Sequence, residues 1–518
     1  MRALRPGKAI PVPSEPTSKE PPALGDGGRG ELRSLNRRRT RIVATIGPAS
    51  DAPATLRAMA AAGMDVARVT LAHGTTTEAI DRIRLLRQVV AHVGVLVDLP
   101  GPKVRTAPFP DGGVILQTDE QVAMIADPGG PTTSSAALIA VSYGPLVASL
   151  RVGDRVAFGD GGVTVVVTGF DGESVLALVR SGGLLRGRPG VTAPAGRLLL
   201  ETPTPEDLQR VEVMVAERVD AIAISFVRSA ADVVAVRAAT ERATKGAGEV
   251  VPMLIAKIET AEAVADLDAI VEVADAVMVA RGDLGVRMAL PDVPHIQKRI
   301  IRSGVRYGRP VITATQMLES MVTALAPTRA EVSDVANAVL DGTSAVMLSA
   351  ETAVGADPAL VVATMAQIAQ RAEEEFDHLG WGANLDPQQV AGNPFSSARI
   401  TAATTSAAWR AAIDEDAVAI IACTRSGATA RAISRFRPPM PIVAATPSSG
   451  TARQLSLSWG VNSLMVGEVA STDEIVWFAV QAAVRAGFAA PGDVVVVLAG
   501  SPTEPAPTTD TLRLVRVR

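Results

Sequence analysis

The chain has 518 residues and a formal net charge of −4, and 47% of its residues are hydrophobic although only 3% are aromatic. This length suits about three domains, and the shortage of aromatic residues predicts an aliphatic core built from layered helices and strands. The weak negative charge gives no sign of nucleic-acid binding, and no apolar run reaches the roughly 18 residues that a membrane span requires.

Residues 1–36 are rich in proline, glycine and charged residues. They contain no apolar run of the kind found in a signal peptide, and we expect a disordered leader. The single cysteine, Cys423, rules out an internal disulfide framework and favours a reducing, cytoplasmic location.

From residue 37 to residue 106 the chain alternates short, β-branched apolar runs with segments of helical length. Such alternation is typical of parallel βα units with buried strands. We predict strands at 40–46, 64–71 and 93–99, and helices at 53–62 and 76–90.

The pattern changes between residues 107 and 200. Short alternating runs appear there, separated by turn signals such as Asp111-Gly112 and Asp171-Gly172. We predict a small β-barrel domain inserted into the βα series, and a domain inserted at a catalytic rim often acts as a lid.

The βα alternation resumes at Thr204 and continues to about residue 380. Strands are predicted at 220–226, 251–258, 275–280, 310–314 and 344–349. Together with the first three they make eight, the number that closes a (β/α)8 or TIM barrel, with an open sheet as the alternative. After a polar linker, residues 395–518 predict a separate open α/β domain.

Charged residues follow two neighbouring barrel strands. Lys257 and Glu259 are two residues apart, so both side chains point the same way from one strand, and Asp283 follows the next strand. Because the C-terminal ends of barrel strands face the active site, a lysine and two carboxylates should meet there. Such a group suits Mg²⁺ and an anionic, phosphorylated substrate, although a single Lys or Glu at a strand end is more often a solvated rim residue.

Seven sequence blocks resemble those of the pyruvate kinase family, and the resemblance covers nearly everything from Thr40 to Gly500. In chain order the blocks are IGPAS at 46–50, ISFV at 224–227, AKIE at 256–259, MVARGDLGV at 278–286, ATQMLESM at 314–321, PTRAEVSDVANA at 327–338 and MLSAETA at 347–353. The resemblance implies the fold predicted above, with a β lid and a C-terminal effector domain. It implies transfer of the phosphoryl group of phosphoenolpyruvate to ADP, giving pyruvate and ATP in the last step of glycolysis, by a cytoplasmic homotetramer.

The resemblance also implies roles for residues at the phosphoenolpyruvate site. Lys257 matches the lysine that neutralises the phosphoryl group and the enolate, and Arg68 matches a phosphate-binding arginine. Glu259 and Asp283 match the carboxylates that hold Mg²⁺, for which Mn²⁺ is a substitute. The residues matching the substrate-carboxylate site are Gly282, Asp283 and Thr315, and Thr315 also matches the residue that helps to organise protonation.

Three further positions match those near the nucleotide, namely Pro48, His73 and Arg105. His73 alone would be an ordinary structural histidine. Arg105 carries more weight because it follows a Gly-Pro turn at the end of a barrel strand.

The sequence departs from the family at the K⁺ site. Thr70 and Ala72 stand where Asn and Ser supply oxygen ligands to K⁺, and Leu99 and Lys103 stand where Thr and Glu are usual. Members that work without a monovalent cation have Leu and Lys at the last two positions. A tethered ammonium can supply the charge of K⁺ beside Asp98 and the substrate phosphate, so we predict a K⁺-independent enzyme with Lys103 in its catalytic set. A solvated loop lysine is the alternative.

The lid and the C-terminal domain depart further. The lid loop at 189–194 lacks the family's lysine, and Arg186 or Arg188 is the candidate replacement. The loop TRSGAT at 424–429 lies where the family binds phosphorylated effectors, so Thr424, Ser426, Gly427 and Thr429 are candidate effector-binding residues. A plain strand–turn–helix connection explains that loop equally well, and the family's terminal effector loop is replaced at 505–510.

Two other functions stay open at this stage. The altered lid favours a catalytically weak paralogue that binds phosphate ligands or acts in regulation. A barrel lyase or aldolase acting on pyruvate would use the same Mg²⁺–enolate chemistry, but it leaves the lid and the effector-like domain unexplained.

Overall fold

A computed structural model describes residues 38–102, 104–129, 132–159, 161–194, 201–245, 250–385, 397–468, 471–500 and 508–518. The predicted leader, Lys103 and most of the predicted linker therefore lie outside the described residues. Within the described ranges, no helix combines the length and the apolar character that crossing a bilayer would require.

The first part of the chain forms three βα units. The elements are β1 (Arg41–Thr45), α1 (Pro53–Ala62), β2 (Val66–Thr70), α2 (Thr76–Val89) and β3 (Gly94–Asp98). Pro53 occupies the first turn of α1, where its missing N–H is not needed. Thr75 and Glu78 form a capping box at the start of α2, which satisfies two backbone donors. Each predicted strand here is confirmed to within two residues at either end.

The inserted segment is almost entirely β-structure with its own hydrophobic core. Its elements are β4 (Val114–Leu116), β5 (Gln121–Ala126), β6 (Leu138–Val141), α3 (Gly144–Ser149), β7 (Arg155–Phe158), β8 (Val163–Asp171), β9 (Ser174–Ser181), β10 (Gly183–Leu185) and β11 (Val191–Thr192). Six strands pair in the order β11-β7-β8-β9-β5-β6, and β10 pairs with β4. The elements α3, β6, β10 and β11 are short and carry little periodicity, so the sequence does not predict them individually.

The second part of the barrel supplies five more βα units. The elements are α4 (Pro205–Ala216), β12 (Ala221–Ile224), α5 (Ala230–Thr244), β13 (Met253–Ile258), α6 (Ala261–Ala265), α7 (Leu267–Val273), β14 (Ala276–Ala280), α8 (Arg281–Arg287), α9 (Val293–Tyr307), β15 (Val311–Ala314), α10 (Arg329–Leu340), β16 (Ala345–Leu348), α11 (Ala350–Ala353), α12 (Pro358–Glu374) and α13 (His378–Ala383).

Eight parallel strands close into a barrel in the order β1-β16-β15-β14-β13-β12-β3-β2. Closure is direct, because Arg41 of β1 lies opposite Ala345 of β16. The predicted (β/α)8 barrel is therefore confirmed. Residues 261–273 form two short helices, α6 and α7, which are divided at Asp266.

The C-terminal domain is a five-stranded sheet with helices on both faces. Its elements are α14 (Ser397–Asp414), β17 (Ala419–Cys423), α15 (Ala428–Ser434), β18 (Ile442–Thr446), α16 (Ser449–Gln454), β19 (Val461–Met465), α17 (Thr472–Arg485), β20 (Val494–Ala499) and β21 (Thr511–Arg516). The strand order is β19-β18-β17-β20-β21, and β21 pairs antiparallel at the edge. This arrangement confirms the predicted open α/β domain.

Candidate active site

The polar residues of the barrel converge at the C-terminal ends of its strands. Arg68 lies on β2, Asp98 ends β3, and Lys257 lies near the end of β13. The pairing register places Asp98 opposite Ala223 of β12, and Ala223 opposite Ile255, so Lys257 lies one side-chain layer above.

Lys257 is the centre of this group. Its Nζ donates a hydrogen bond to Ser225 Oγ at 2.6 Å and lies 3.5 Å from Asp98 Oδ1 and 3.4 Å from Glu259 Oε2. Burial acts to lower the pKa of Lys257, but the charges of Asp98, Glu259 and Asp283 outweigh it and raise the pKa above its usual value. Lys257 is therefore a protonated, buried cation at neutral pH.

Arg68 and Asp98 form a tight ion pair beside the lysine. Nη2 and Nε of Arg68 donate to the same Asp98 oxygen at 2.6 and 2.9 Å, and Arg68 Nη1 donates to Thr45 Oγ1 at 2.9 Å. Burial acts to raise the pKa of Asp98, but Lys257 and Arg68 together outweigh it and the pKa is lowered. The carboxylate stays ionised and holds both cations in place.

Glu259 follows β13 and is completely buried. Its Oε1 accepts a hydrogen bond from the Phe226 N–H at 2.5 Å, whereas its Oε2 has no hydrogen-bond donor among the described residues. Burial raises the pKa of Glu259 to about 7, with Lys257 opposing the shift and Asp283 adding to it. A buried oxygen with no donor, next to a second carboxylate, suits a divalent cation.

The described residues contain no cluster of three or more His, Cys, Asp or Glu side chains that could enclose a metal ion. Mg²⁺ commonly binds through one or two carboxylates, with substrate oxygens and water completing the octahedron. Glu259 and Asp283 fit that mode of binding.

Thr315 lies just after β15 in an uncommon backbone conformation. Thr315 and Gln316 have φ angles of 68° and 53°, which are strained for residues other than glycine and most of all for a β-branched one. Thr315 Oγ1 accepts a hydrogen bond from the Gly282 N–H at 2.8 Å and donates to the Ala314 carbonyl at 2.7 Å. The strained turn thus brings Thr315 against the start of α8, which carries Gly282 and Asp283.

Arg281 stabilises this turn through hydrogen bonds. Its Nη2 donates to the Thr315 carbonyl at 2.6 Å, its Nε donates to the Ala314 carbonyl at 3.2 Å, and its Nη1 donates to Asp334 at 2.7 Å. The Leu318 N–H also donates, at 3.2 Å, to Glu351, which is fully buried. Backbone strain at Thr315 is therefore balanced by charged hydrogen bonds.

The three predicted nucleotide positions lie at the same rim. Pro48 and His73 are exposed, and Arg105 is partly buried. Arg105 Nη1 donates to the Arg188 carbonyl at 3.0 Å, and its Nη2 donates to the Ala72 carbonyl at 3.4 Å. Arg105 therefore connects the lid loop to the segment that carries His73.

The structure describes some of the positions at which the sequence departs from the family's K⁺ site, but Lys103 lies outside the described residues. Leu99 is buried and offers no side-chain oxygen. Thr70 Oγ1 accepts a hydrogen bond from the Ala72 N–H at 3.2 Å. Asp98, the anion of this corner, already contacts Arg68 and Lys257.

The loop at 424–429 borders a cavity of about 690 Å³ between the C-terminal domain and the barrel. Thr424 Oγ1 accepts from the Gly427 N–H at 2.9 Å, and Thr429 Oγ1 shares a hydrogen bond of 2.6 Å with Thr509. Ser426 is exposed. Three of the four predicted effector residues, Thr424, Gly427 and Thr429, thus form hydrogen bonds within the protein.

Sequence reasoning did not assign site roles to Ser225 or Arg281, and it treated Asp98 only as an anion near Lys103. Ser225 and Arg281 both stand inside the matched blocks, and Arg281 directly precedes Gly282, which was assigned a role. The signal was therefore present in the sequence, but their contacts depend on strand register, which the sequence alone does not reveal.

Comparison with known proteins identifies related sequences over most of the chain. A family model described as "Pyruvate kinase, barrel domain" matches residues 37–362, and one described as "Pyruvate kinase, alpha/beta domain" matches residues 402–515. The pyruvate kinase of Clostridium acetobutylicum is 38% identical over 480 residues, covering 92% of this chain and 99% of that protein. The pyruvate kinase of Agrobacterium vitis is 40% identical over 486 residues, covering 92% of this chain and 98% of that protein.

Proposed function

Because this chain belongs to the pyruvate kinase family and is a phosphotransferase, we propose that it transfers the phosphoryl group of phosphoenolpyruvate to ADP with Mg²⁺ and without K⁺. The observation that carries the proposal is the buried Lys257 ammonium between Asp98 and Glu259 at the C-terminal rim of the barrel. The related enzymes named above supply the reaction class.

Lys257 and Arg68 bind the phosphoryl group in this proposal. Both are cations whose partners are already buried carboxylates, so their positions are set before substrate binds. Such preorganised charge stabilises the negative charge that develops on the phosphoryl oxygens and on the enolate. Ser225 fixes the direction of the Lys257 ammonium.

Glu259 and Asp283 would hold Mg²⁺. The ion, when bound, supplies a Lewis acid that polarises substrate oxygens. Mn²⁺ is expected to substitute because it also prefers carboxylate and water ligands in octahedral geometry. A divalent cation would also supply a partner for the buried Glu259 Oε2, which accepts no hydrogen bond from the described residues.

Gly282, Asp283 and Thr315 form the site for the substrate carboxylate. The Thr315 hydroxyl bridges the Gly282 N–H and the Ala314 carbonyl, so its orientation is fixed. In our proposal this hydroxyl orders a water molecule that delivers the proton to the enolate carbon, which turns enolpyruvate into pyruvate.

Pro48, His73 and Arg105 form the side that faces ADP. The lid loop lacks the family's lysine, and Arg188 Nε donates to the Thr106 carbonyl at 3.3 Å next to Arg105. We assign the phosphate contact of the lost lysine to Arg105 together with Arg188.

Independence from K⁺ rests on the sequence at 99 and 103 and on the environment of Asp98. Leu99 and Ala72 offer no ligand oxygen where the family has Thr and Ser. Lys103 would supply the monovalent charge instead. We also propose a homotetramer and a phosphorylated effector at Thr424, Ser426, Gly427 and Thr429.

The experiment that tests the catalytic assignment is ATP formation from phosphoenolpyruvate and ADP by the Lys257→Met variant. We expect a loss of kcat of about a thousandfold or more, since a preorganised charge at the reacting group is removed. The matched control is Lys245→Met, an exposed lysine on the barrel surface, which should keep full activity. Turnover retained by a folded Lys257→Met protein would refute the role of this lysine. A native protein that binds phosphoenolpyruvate without turnover would favour the paralogue instead.

A further inference from the structure

A second cavity, of about 550 Å³, lies at the opposite end of the barrel from the active site. It is bordered by the C-terminal half of α9, the end of α10, helix α13 and Arg435. Helix α9 leads into the N-terminal end of β15, whereas Thr315 follows the C-terminal end of that strand. The cavity is also separate from the loop at 424–429, because it shares no lining residue with the cavity that this loop borders.

Arg435 is the unusual residue of this cavity. Its residue surface is 8% exposed, and its Nε and Nη2 groups have no hydrogen-bond partner among the described residues. Its Nη1 donates to the Arg306 carbonyl at 3.3 Å, and no carboxylate of the described chain forms an ion pair with it. Burial lowers the pKa of Arg435 to about 10. A buried cation without a counter-ion is costly, so an anion would be bound favourably here.

A small neighbouring void of about 10 Å³ also touches Arg435. That volume accepts about one water molecule, which carries no net charge and so leaves the guanidinium without a counter-ion. The larger cavity has room for an anionic acceptor beside Arg435.

The other charges around the cavity have the same sign. Arg302 and Arg306 project from α9, and among the described residues that line the cavity Asp377 is the one acidic side chain. The Asp377 carboxylate is engaged at the start of α13, where it accepts from the Gly380 N–H at 2.8 Å. Arg306 has a distant contact with Asp268 at 3.7 Å on the exposed surface. The cavity therefore has an excess of positive charge.

One wall of the cavity is aromatic. The rings of Phe376 and Trp381 lie 5.3 Å apart, and Trp381 Nε1 donates to the Arg435 carbonyl at 2.9 Å. This hydrogen bond fixes the indole against the backbone of Arg435, and both residues border the cavity. A flat apolar group could pack on this wall while an anionic group reaches Arg435.

We propose that this cavity binds a small phosphomonoester that carries a flat ring, with its phosphoryl group at Arg435 and Arg302 and its ring against Phe376 and Trp381. A phosphomonoester carries nearly two negative charges and three acceptor oxygens, which match the free donors of a guanidinium. The cavity volume lies in the range of small-molecule sites. The site connects the barrel to the C-terminal domain, so its occupant would bind across the two.

Calorimetric titration with phenyl phosphate tests the proposal, with glycerol 2-phosphate as the phosphomonoester without a ring. We expect Arg435→Gln to weaken phenyl phosphate binding about tenfold or more, because charge-assisted hydrogen bonds are lost. Trp381→Leu should weaken phenyl phosphate more than glycerol 2-phosphate. The matched control is Arg371→Gln, an exposed arginine that pairs with Glu374 and Glu375 away from the cavity and should leave this binding unchanged.

Arg302→Gln gives a second variant on the exposed face of α9, in case Arg435→Gln does not fold. It should also weaken binding while leaving the circular dichroism spectrum unchanged. The proposal is overturned if the native protein does not bind phenyl phosphate at millimolar concentration. It is equally overturned if folded Arg435→Gln and Arg302→Gln proteins bind phenyl phosphate as tightly as the native protein does.

Discussion

At the scale of single residues, the site depends on the balance of charge around Lys257. One buried ammonium faces Asp98 and Glu259, and Asp98 is shared with Arg68. Removing either carboxylate from such a group leaves a buried cation less compensated. The arrangement explains why a buried lysine can stay protonated and serve as a fixed charge for an anionic substrate.

Ser225→Ala tests the fixed direction of that charge. Ser225 Oγ accepts from Lys257 and donates to Asp98 at 3.3 Å, so the variant loses both contacts. We expect kcat to fall about tenfold while KM for phosphoenolpyruvate changes little, because one net hydrogen bond is worth about 1 kcal/mol or more beside a charge. Steady-state kinetics measures both values. An unchanged kcat would show that Ser225 does not orient the lysine.

Lys103→Glu tests the replacement of K⁺ by a tethered charge. With glutamate at 103 the site loses its own monovalent charge, so we expect activity to become dependent on added K⁺. Initial rates with KCl and with tetramethylammonium chloride at equal ionic strength measure this dependence, and Lys245→Glu is the control. A Lys103→Glu enzyme that ignores K⁺ would contradict the charge-replacement argument.

Cys423 gives a prediction about reactivity. Burial raises the pKa of this thiol to about 12, and the thiolate is the reactive form. We expect no measurable labelling by a thiol-reactive disulfide reagent at pH 8 in the folded protein, and one thiol per chain after denaturation. Fast labelling of the folded protein would show that β17 is open to solvent.

At the scale of elements, the sequence predicts which segments form strands better than it predicts how they meet. The eight barrel strands could be found because each is a short, mostly buried and mostly apolar run next to segments of helical length. The contact between Asp98 and Lys257 could not be predicted, because it depends on the register of β3, β12 and β13. Period-two spacing did predict that Lys257 and Glu259 lie together, and they are 3.4 Å apart.

The turn after β15 is supported by Arg281, a residue that is not part of the turn itself. Arg281 binds the carbonyls of Ala314 and Thr315 and so supports a positive φ angle at a threonine. No local sequence preference predicts such a turn, since glycine would be the usual choice. The tertiary contacts of Arg281 override the preference of the chain.

Arg281→Met should therefore disturb the Thr315 turn without touching substrate. We expect kcat to fall by about tenfold to a hundredfold, more than KM rises, because the Thr315 hydroxyl is displaced. Arg371→Met is the matched control, since Arg371 is an exposed arginine of α12 whose ion pairs in the described chain are with the nearby Glu374 and Glu375. A kcat near that of the control would remove Arg281 from the positioning of the turn.

At the scale of the whole molecule, the barrel and the C-terminal domain are joined by buried arginines and one histidine. His378 Nδ1 lies 2.9 Å from the Arg437 carbonyl, and its Nε2 lies 3.4 Å from Arg39 Nη1. Burial, together with the charges of Arg39 and Arg437, lowers the pKa of His378 below its ordinary value of 6.5. The neutral ring therefore fits this interface and the charged ring does not.

The lowered pKa of His378 predicts how the stability of the folded protein depends on pH. The unfolded chain binds this proton more readily than the folded one, so the stabilisation is complete above about pH 6.5 and is lost as the pH falls through the lowered pKa. We expect His378→Asn to reduce the fall in unfolding temperature between pH 7 and pH 5. The control is His92→Asn, which changes an exposed histidine and should leave the fall in unfolding temperature as it is in the native protein. An equal pH dependence in the two variants would contradict the assignment.

The most direct test of the whole account is the rate of pyruvate formation from phosphoenolpyruvate, ADP and Mg²⁺ in buffer that is rigorously free of K⁺. We predict the full rate in that buffer, no stimulation when K⁺ is added, and no pyruvate when Mg²⁺ is chelated. Activity that appears only with K⁺ would contradict the role of Lys103, but it would still support the proposed kinase activity. An absence of pyruvate in both buffers would contradict the proposed function itself.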